Sequence, residues 1–354
     1  MRLHYLDNIR WATVLLVLFY HVCYMFNGVG ALGGIAGAKS LACFDAVLYF
    51  VYPWFMVLLF LIAGISARYA LQKYSGREFI RLRVRKLLVP STLGLFVLHW
   101  ITGYLNIKMG GGLAYIPSFL IYPISAVSGI GPLWFIQMLF LFSCVLVLLR
   151  RIDRNDRVWL FCGRANAAVV LGLFLPLWGA AQIWNLPVLT MYRFGIYFFA
   201  FLAGYYVFSH NKVQCMVEKM HISMLAAAVV GGACYTAYYY GTDYTSPQCL
   251  QSLLTNVYLW AAVLAVLGCA KAWFDRQTPA TRYFSASSFG YYILHYPVLI
   301  VTCYVLHTCF SLPAIWNYLI AFVVELGLTA VLYELLKRVP GLRYAVLGIR
   351  NSKR

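Results

Sequence analysis

RWATVLLVLFYH, residues 10–21, sets ten almost wholly apolar residues between an arginine and a histidine. A helix apolar on every face belongs inside a large core or in lipid. The rest of the chain decides between the two. Of 354 residues, 63% are hydrophobic and 11% charged, where a soluble domain carries about 25% charged residues. A soluble fold cannot hide that much apolar area, so the solvent is lipid. No small-residue cleavage site follows the first apolar run, which is therefore expected as a retained membrane helix and not a secretory signal.

Ten stretches reach the roughly 20 apolar residues that a bilayer core requires of a helix. They lie at 9–28, 43–68, 87–105, 132–150, 166–184, 190–208, 222–241, 251–270, 284–308 and 314–336. Turn residues or charge runs such as QKYSGREFIRLRVRKL and RRIDRNDR separate them, and the junction around Pro187 is the shortest. With the N-terminus in the cytoplasm, all but Lys39, Lys108 and Arg193 of the 28 Lys and Arg residues fall on the cytoplasmic side. Basic residues collect in cytoplasmic loops. The expectation is an all-α membrane protein of about ten transmembrane helices in the cell's cytoplasmic membrane, both termini cytoplasmic. Residues 1–354 form one integral-membrane domain with no appended soluble domain. The same rule accounts for the net charge of +18 without nucleic acid, for which no binding motif is present. Of the ten cysteines, Cys23, Cys144, Cys234, Cys269 and Cys303 fall inside apolar runs without CxxC spacing and read as small buried packing residues, while Cys249 and Cys309 lie near the outer face within reach of pairing. No metal-ligand spacing appears.

His21 stands eleven residues beyond Arg10, about 16 Å along a helix, past the bilayer midplane. An ionisable group at such depth marks a site facing a cavity, or a histidine bonded to a neighbouring helix; both readings stand for a lone histidine. Asp45 opens the second span at similar depth. There it serves either as a helix N-cap or as the carboxylate that orients His21 and raises its basicity. His99, His295 and Glu325 lie inside the third, ninth and tenth spans, and Gln137 inside the fourth. Each alone suits a packing hydrogen bond; together they suggest a polar cavity. Arg77, Arg81, Arg83, Arg85 and Lys86 crowd the approach to the third span. They satisfy the charge rule and anionic lipid head groups, or they seat a phosphorylated cytoplasmic ligand.

Several segments then coincide with one family. LDNIRWATVLLVLFYHV resembles the Arg-x10-His first helix of the membrane-bound acyltransferase-3 family. PWFMVLLFLIAGISARYAL resembles its Phe-rich second helix, and FIRLRVRKLLVP its basic approach to a Leu-Leu-x-Pro start of helix three. GPLWFIQML resembles a Gly-His-Leu-Trp-Phe-Leu motif, SFGYYILHYPVLI a Tyr-Leu-Leu-His-x-Pro motif, and YELLKRVPGLRYAVLG the closing segment of glucan-modifying members. Members move an acyl group from cytoplasmic acyl-CoA to a hydroxyl of an extracytoplasmic carbohydrate or other acceptor.

The resemblance implies His21 as the catalytic histidine, with Arg10 in the same site; Asp45, from its depth, is expected to orient the imidazole. The resemblance also implies Arg83 and Lys86 as an Arg-x-x-Arg-type donor pair, here with lysine second, assisted by Arg81, Arg85 and Trp134. Pro132 stands where many members have histidine. The expected co-substrate is acyl-CoA, acetyl ahead of succinyl, and the expected acceptor an envelope polysaccharide or glycolipid of a bacterium, with membrane lipids as the other partner. The competing reading is a multi-pass transporter exporting a small acid, a polysaccharide or an acylated product. A transporter of this size should carry paired repeats with broken helices, and residues 1–180 and 181–354 show none.

Overall fold

The structure is a computed structural model describing residues 3–29, 34–35, 37–187 and 191–349. The basic residues Arg2, Arg350, Lys353 and Arg354, part of the charge count above, lie outside the described residues, as does part of the GVGALGGIAGAKS loop. Eight helices are long and apolar enough to cross a membrane. They are α1 (His4–Met25), α2 (Ala42–Lys73), α3 (Gly76–Met109), α4 (Gly131–Ile152) and, further along, His221–Tyr239, Leu253–Trp273, Pro279–Cys309 and Ala314–Leu336.

The expected fifth and sixth spans are present as shorter helices, α5 (Ala167–Ala180) and α6 (Phe194–Tyr206). At 13 residues, α6 rises about 20 Å, less than the roughly 30 Å of a hydrocarbon core. The junction at Pro187 is an antiparallel β-hairpin, Asn185–Pro187 against Met191–Arg193, which consumes residues the sequence pattern assigned to helix. The four later helices are α7 (His221–Tyr239), α8 (Leu253–Trp273), α9 (Pro279–Cys309) and α10 (Ala314–Leu336). A short α11 (Pro340–Leu347) closes the described chain.

Close backbone approach holds the bundle where side chains are small, as is usual between membrane helices. A Cβ on Gly64 of α2 would sit 2.0 Å from the Phe201 carbonyl oxygen of α6, and one on Gly204 of α6 would sit 2.0 Å from that of Leu61. Only hydrogen fits at either position. α1 packs on α8, α9, α10 and both parts of α2, which makes it the central stave.

Three irregularities position the site. Pro53 interrupts α2, leaving a turn at 52–54 between Ala42–Val51 and Phe55–Lys73. α3 contains two π-helical turns, Val84–Leu88 and Leu95–His99. Such turns insert an extra residue and recur at functional sites; the first carries Arg85 and Lys86. Pro297 sits inside α9 and cannot donate to the Ile293 carbonyl four residues back. That carbonyl accepts instead from His99 Nε2 at 2.9 Å.

Candidate active site: two cavities end to end along α1

Two cavities follow each other along α1. Val14 lines one and Val17 the other, one turn apart on the same helix. The first, of about 690 Å³, is the basic chamber. It is lined by Arg10, Arg83, Arg85 and Lys86, by Ser66, Ser285 and Ser288, and by apolar groups from α2, α4, α9 and α11. No carboxylate lines it. Arg10 is fixed by Asp7 at 3.0 Å and by donating to Ser66 Oγ at 3.0 Å. The Arg83 guanidinium lies 4.8 Å from the centre of the Phe79 ring. No ion pair involves Arg83, Arg85 or Lys86 among the described residues. Gly348, at φ +63°, lets the chain pass against the Arg85 backbone, where a Cβ would meet the carbonyl oxygen at 2.5 Å.

The second cavity, of about 370 Å³, is the histidine chamber. His21, Trp134 and Phe55 line it, with seven tyrosines: Tyr20, Tyr24, Tyr52, Tyr192, Tyr197, Tyr292 and Tyr296. The turn that Pro53 makes in α2 brings Tyr52 into this wall. Trp134 stacks on Tyr197 with ring centroids 5.5 Å apart. Tyr292 lines both chambers; its hydroxyl donates to the Pro132 carbonyl oxygen. Its ring meets Phe135 edge-on at 5.6 Å. Tyr292 and Phe135 form the septum.

The hydrogen-bond network assigns the tautomer of His21. Its Nδ1 lies 2.8 Å from the Val17 carbonyl oxygen. A carbonyl only accepts, so Nδ1 carries the proton. His295 Nδ1 lies 3.2 Å from the Tyr291 carbonyl oxygen and is protonated for the same reason. The bare Nε2 of His295 then faces the His21 Nδ1–H at 3.3 Å, and that N–H is shared between Val17 and His295. His21 is left with an unprotonated Nε2 at the chamber wall. An imidazole held in this way is a base whose conjugate acid already has two acceptors in place.

The expected site residues are thus partly gathered and partly dispersed. Arg10, Arg83, Arg85 and Lys86 share one chamber, and His21 lines the other with His295 behind it. Arg81 turns instead into a neighbouring groove with Tyr344 and Pro340. Trp134, grouped with the donor residues above, lines the histidine chamber. Asp45 does not orient His21: it is buried, and its Oδ1 accepts from the Gly28 backbone N–H at 3.2 Å, pinning the loop after α1. The partner expected of it is His295. Gln137 donates to the Ser91 carbonyl at 2.9 Å and ties α4 to α3. Glu325 is fully buried, with neither carboxyl oxygen bonded among the described residues. His99, Gln137 and Glu325 line neither chamber; the polar groups of the histidine chamber are His21, Asn106, Ser128 and the tyrosines. Those tyrosines lie in apolar runs on five elements, and no spacing in the sequence marks them as sharing one wall. Tyr115 and Tyr122 are exposed and line neither chamber.

A family model described as an acyltransferase domain matches residues 3–334. No curated protein and no solved structure matches the chain.

Proposed function

The chain belongs to the membrane-bound acyltransferase-3 family, and from that premise we propose that it is a multi-pass O-acyltransferase. In this reading it moves an acyl group, acetyl first and succinyl second, from cytoplasmic acyl-CoA to a hydroxyl of an extracytoplasmic carbohydrate or glycolipid. The observation that carries the reading is the unprotonated Nε2 of His21 in a tyrosine-walled chamber, set end to end with a chamber lined by Arg10 and by Arg83, Arg85 and Lys86, of which the last three have no ion pair among the described residues.

The chemistry follows from the two environments. Guanidinium groups bind phosphate through paired N–H donors, and lysine adds a point charge. Arg83, Arg85, Lys86 and Arg10 hold the CoA phosphates on the cytoplasmic side, and the pantetheine arm runs along α1 towards the Tyr292–Phe135 septum. Aromatic faces in the histidine chamber pack on the apolar faces of a sugar, and their hydroxyls bond to its hydroxyls. His21 Nε2 takes the proton of the acceptor hydroxyl as its oxygen attacks the thioester carbonyl. The C–O bond forms, the C–S bond breaks, and His21 returns the proton to the leaving thiolate. A positioned base of this kind contributes about 10²–10⁴-fold, and holding both substrates in one pore supplies proximity. The imidazolium formed in passing is stabilised by the Val17 carbonyl and His295 Nε2.

The test is release of free CoA thiol by detergent-purified protein from a panel of acyl-CoAs, with bacterial envelope extract as acceptor. Wild type should release thiol with one acyl group preferred, and His21→Ala should not, with its melting temperature unchanged. Equal thiol release by the variant refutes the role of His21. Absence of release or binding with every donor refutes the acyltransferase reading and favours the transporter.

A further inference from the structure

Arg193 is the most anomalous charge in the molecule. It is 1% exposed, and it is one of only three basic residues that the sequence pattern places away from the cytoplasm. It forms the N-cap of α6, the positive end of that helix's dipole, where a cation is disfavoured and an anion favoured. Among the described residues its side chain makes one hydrogen bond, from Nη2 to the Leu250 carbonyl oxygen at 3.1 Å, and its Nε has no partner. No carboxylate pairs with it among the described residues. Nor does the Leu250 carbonyl depend on it, because Asn256 Nδ2 donates to the same oxygen at 3.1 Å. A buried cation without a counter-charge is strongly disfavoured, and nothing in the packing of the chain itself repays that penalty.

The surroundings point to what does. Arg193 lies between Tyr192 and Tyr197 in sequence, and both line the histidine chamber. Tyr197 is one helical turn on from Arg193. Arg193 does not itself line the chamber; it is sealed behind the stretch of wall that Tyr192 and Tyr197 form. Asp243 is engaged through Oδ1 by the backbone N–H and hydroxyl of Thr245. A buried positive charge and a helix N-terminus behind a cavity wall favour an anion in that cavity.

We propose that Arg193, from behind the wall formed by Tyr192 and Tyr197, favours an anionic group, carboxylate or phosphate, carried into the histidine chamber by one of the two substrates. This rests on the reading of that chamber as the place where acyl group and acceptor meet. The anion has two sources of the same chemistry: the free carboxylate of a dicarboxylic acyl group, or an acidic substituent on the acceptor. Arg193 is a recognition residue here and takes no part in the proton transfer.

The test has a binding arm and a transfer arm, both on the full chain in detergent. In the first, thermal stability is measured with millimolar succinate or glycerol 1-phosphate, and with the neutral analogues succinamide and glycerol, for wild type, Arg193→Gln and Arg193→Lys. The anions should raise the melting temperature of wild type and not of Arg193→Gln, with Arg193→Lys between them and the neutral analogues inert. Without ligand, Arg193→Gln should melt at or above the wild-type temperature, because it removes an unpaired buried charge; a purely structural arginine would give a drop instead. In the second arm, acetyl-CoA and succinyl-CoA are compared on neutral and phosphate-bearing glycans. Arg193→Gln should lose transfer of the anion-bearing substrate at least tenfold more than transfer of the neutral one. A loss that follows the donor assigns the anion to the acyl group, and a loss that follows the glycan assigns it to the acceptor. Equal losses throughout, or anion stabilisation that survives Arg193→Gln, overturn the proposal. If wild type transfers nothing from any donor, the acyltransferase reading has failed, and the binding arm alone decides on Arg193.

Discussion

Replacing His295 with leucine should slow acyl transfer without weakening acyl-CoA binding. His295 is fully buried and lines neither chamber, so its effect must pass through His21. Its Nε2 is one of two acceptors for the His21 Nδ1–H, at 3.3 Å beside the Val17 carbonyl at 2.8 Å. In the ground state the shorter bond holds the ring, and the longer one adds little. When Nε2 of His21 takes up a proton, the N–H becomes cationic and both acceptors strengthen. A hydrogen bond to a charged group contributes about 1.5–3 kcal/mol. Val17 retains its share in the variant, so the loss falls at the lower end, about 1.5–2 kcal/mol. At 1.36 kcal/mol per decade, kcat should fall about 10- to 30-fold. His295→Gln offers an amide oxygen at similar reach and should recover most of the rate. Steady-state thiol release, with kcat and KM for acyl-CoA resolved separately, reads this directly. A kcat for His295→Leu within twofold of wild type would remove His295 from the mechanism. A raised KM at unchanged kcat, or equal damage from Gln and Leu, would make it a packing residue.

Other residues separate in the same way. Arg83→Ala should raise the KM for acyl-CoA at least tenfold, leave kcat nearly unchanged and abolish thermal stabilisation by acyl-CoA; unchanged stabilisation would move the phosphates elsewhere. Asp45→Asn should keep kcat within a few-fold of wild type, because Asp45 serves the Gly28 N–H and not His21; a loss of a thousandfold would restore it to the catalytic group. His99→Leu strands the Ile293 carbonyl that Pro297 leaves without a helical donor, so it should lower stability by about 1–3 kcal/mol, read by chemical denaturation, with kcat retained in the folded fraction. His210, outside the spans, stacks on Trp159 at 4.0 Å. Burial above all, with the nearby Arg68 charge, holds its pKa below the ordinary histidine value. The folded state therefore resists a proton that the unfolded state accepts, and stability falls as pH drops below about 6.5. His210→Phe should flatten that fall in melting temperature.

The membrane class was legible because apolar runs in lipid have no polar face to confuse them, and eight of the expected spans appear at nearly the expected places. The fifth and sixth were misjudged in length. A hydropathy run begun at 190 cannot distinguish helix from strand for Met191–Arg193, which pair with Asn185–Pro187, and Pro187 was the only mark of the break. In the site, depth left His21 open between a cavity group and a packed histidine until the resemblance singled it out; the structure puts it on one cavity wall and gathers Arg10, Arg83, Arg85 and Lys86 on another. The His21–His295 pairing was not legible, because the two are 274 residues apart and only the crossing of α1 with α9 joins them. Asp45 misled for a physical reason: equal depth in the bilayer does not mean the same side of α1. His99, read alone as a packing hydrogen bond, makes one to the Ile293 carbonyl. Its explanation needed Pro297 and Ile293, four residues apart on another helix.

The distribution of charge makes a stronger argument than any single residue. The chain has ten carboxylates. Asp7, Asp156, Glu218 and Glu334 pair with Arg10, Arg68, Lys271 and Lys337. Glu78, Asp153, Asp45, Asp243 and Asp275 accept from backbone N–H groups. Glu325 is buried apart from any cation. None is left for Arg83, Arg85, Lys86 or Arg193, yet these four border or back the two cavities. Basic residues on a loop surface need no partner, since water and lipid head groups supply one. Arg83, Arg85 and Lys86 border a cavity with no carboxylate in its lining among the described residues, and Arg193 is sealed behind the wall of the other. On the proposed reading, an acyl-CoA supplies the balancing charge at the basic end, and a carboxylate or phosphate on the second substrate supplies it at Arg193. The net charge of +18 would then divide into a share that obeys the charge rule of membrane proteins and a smaller share that is completed by substrate.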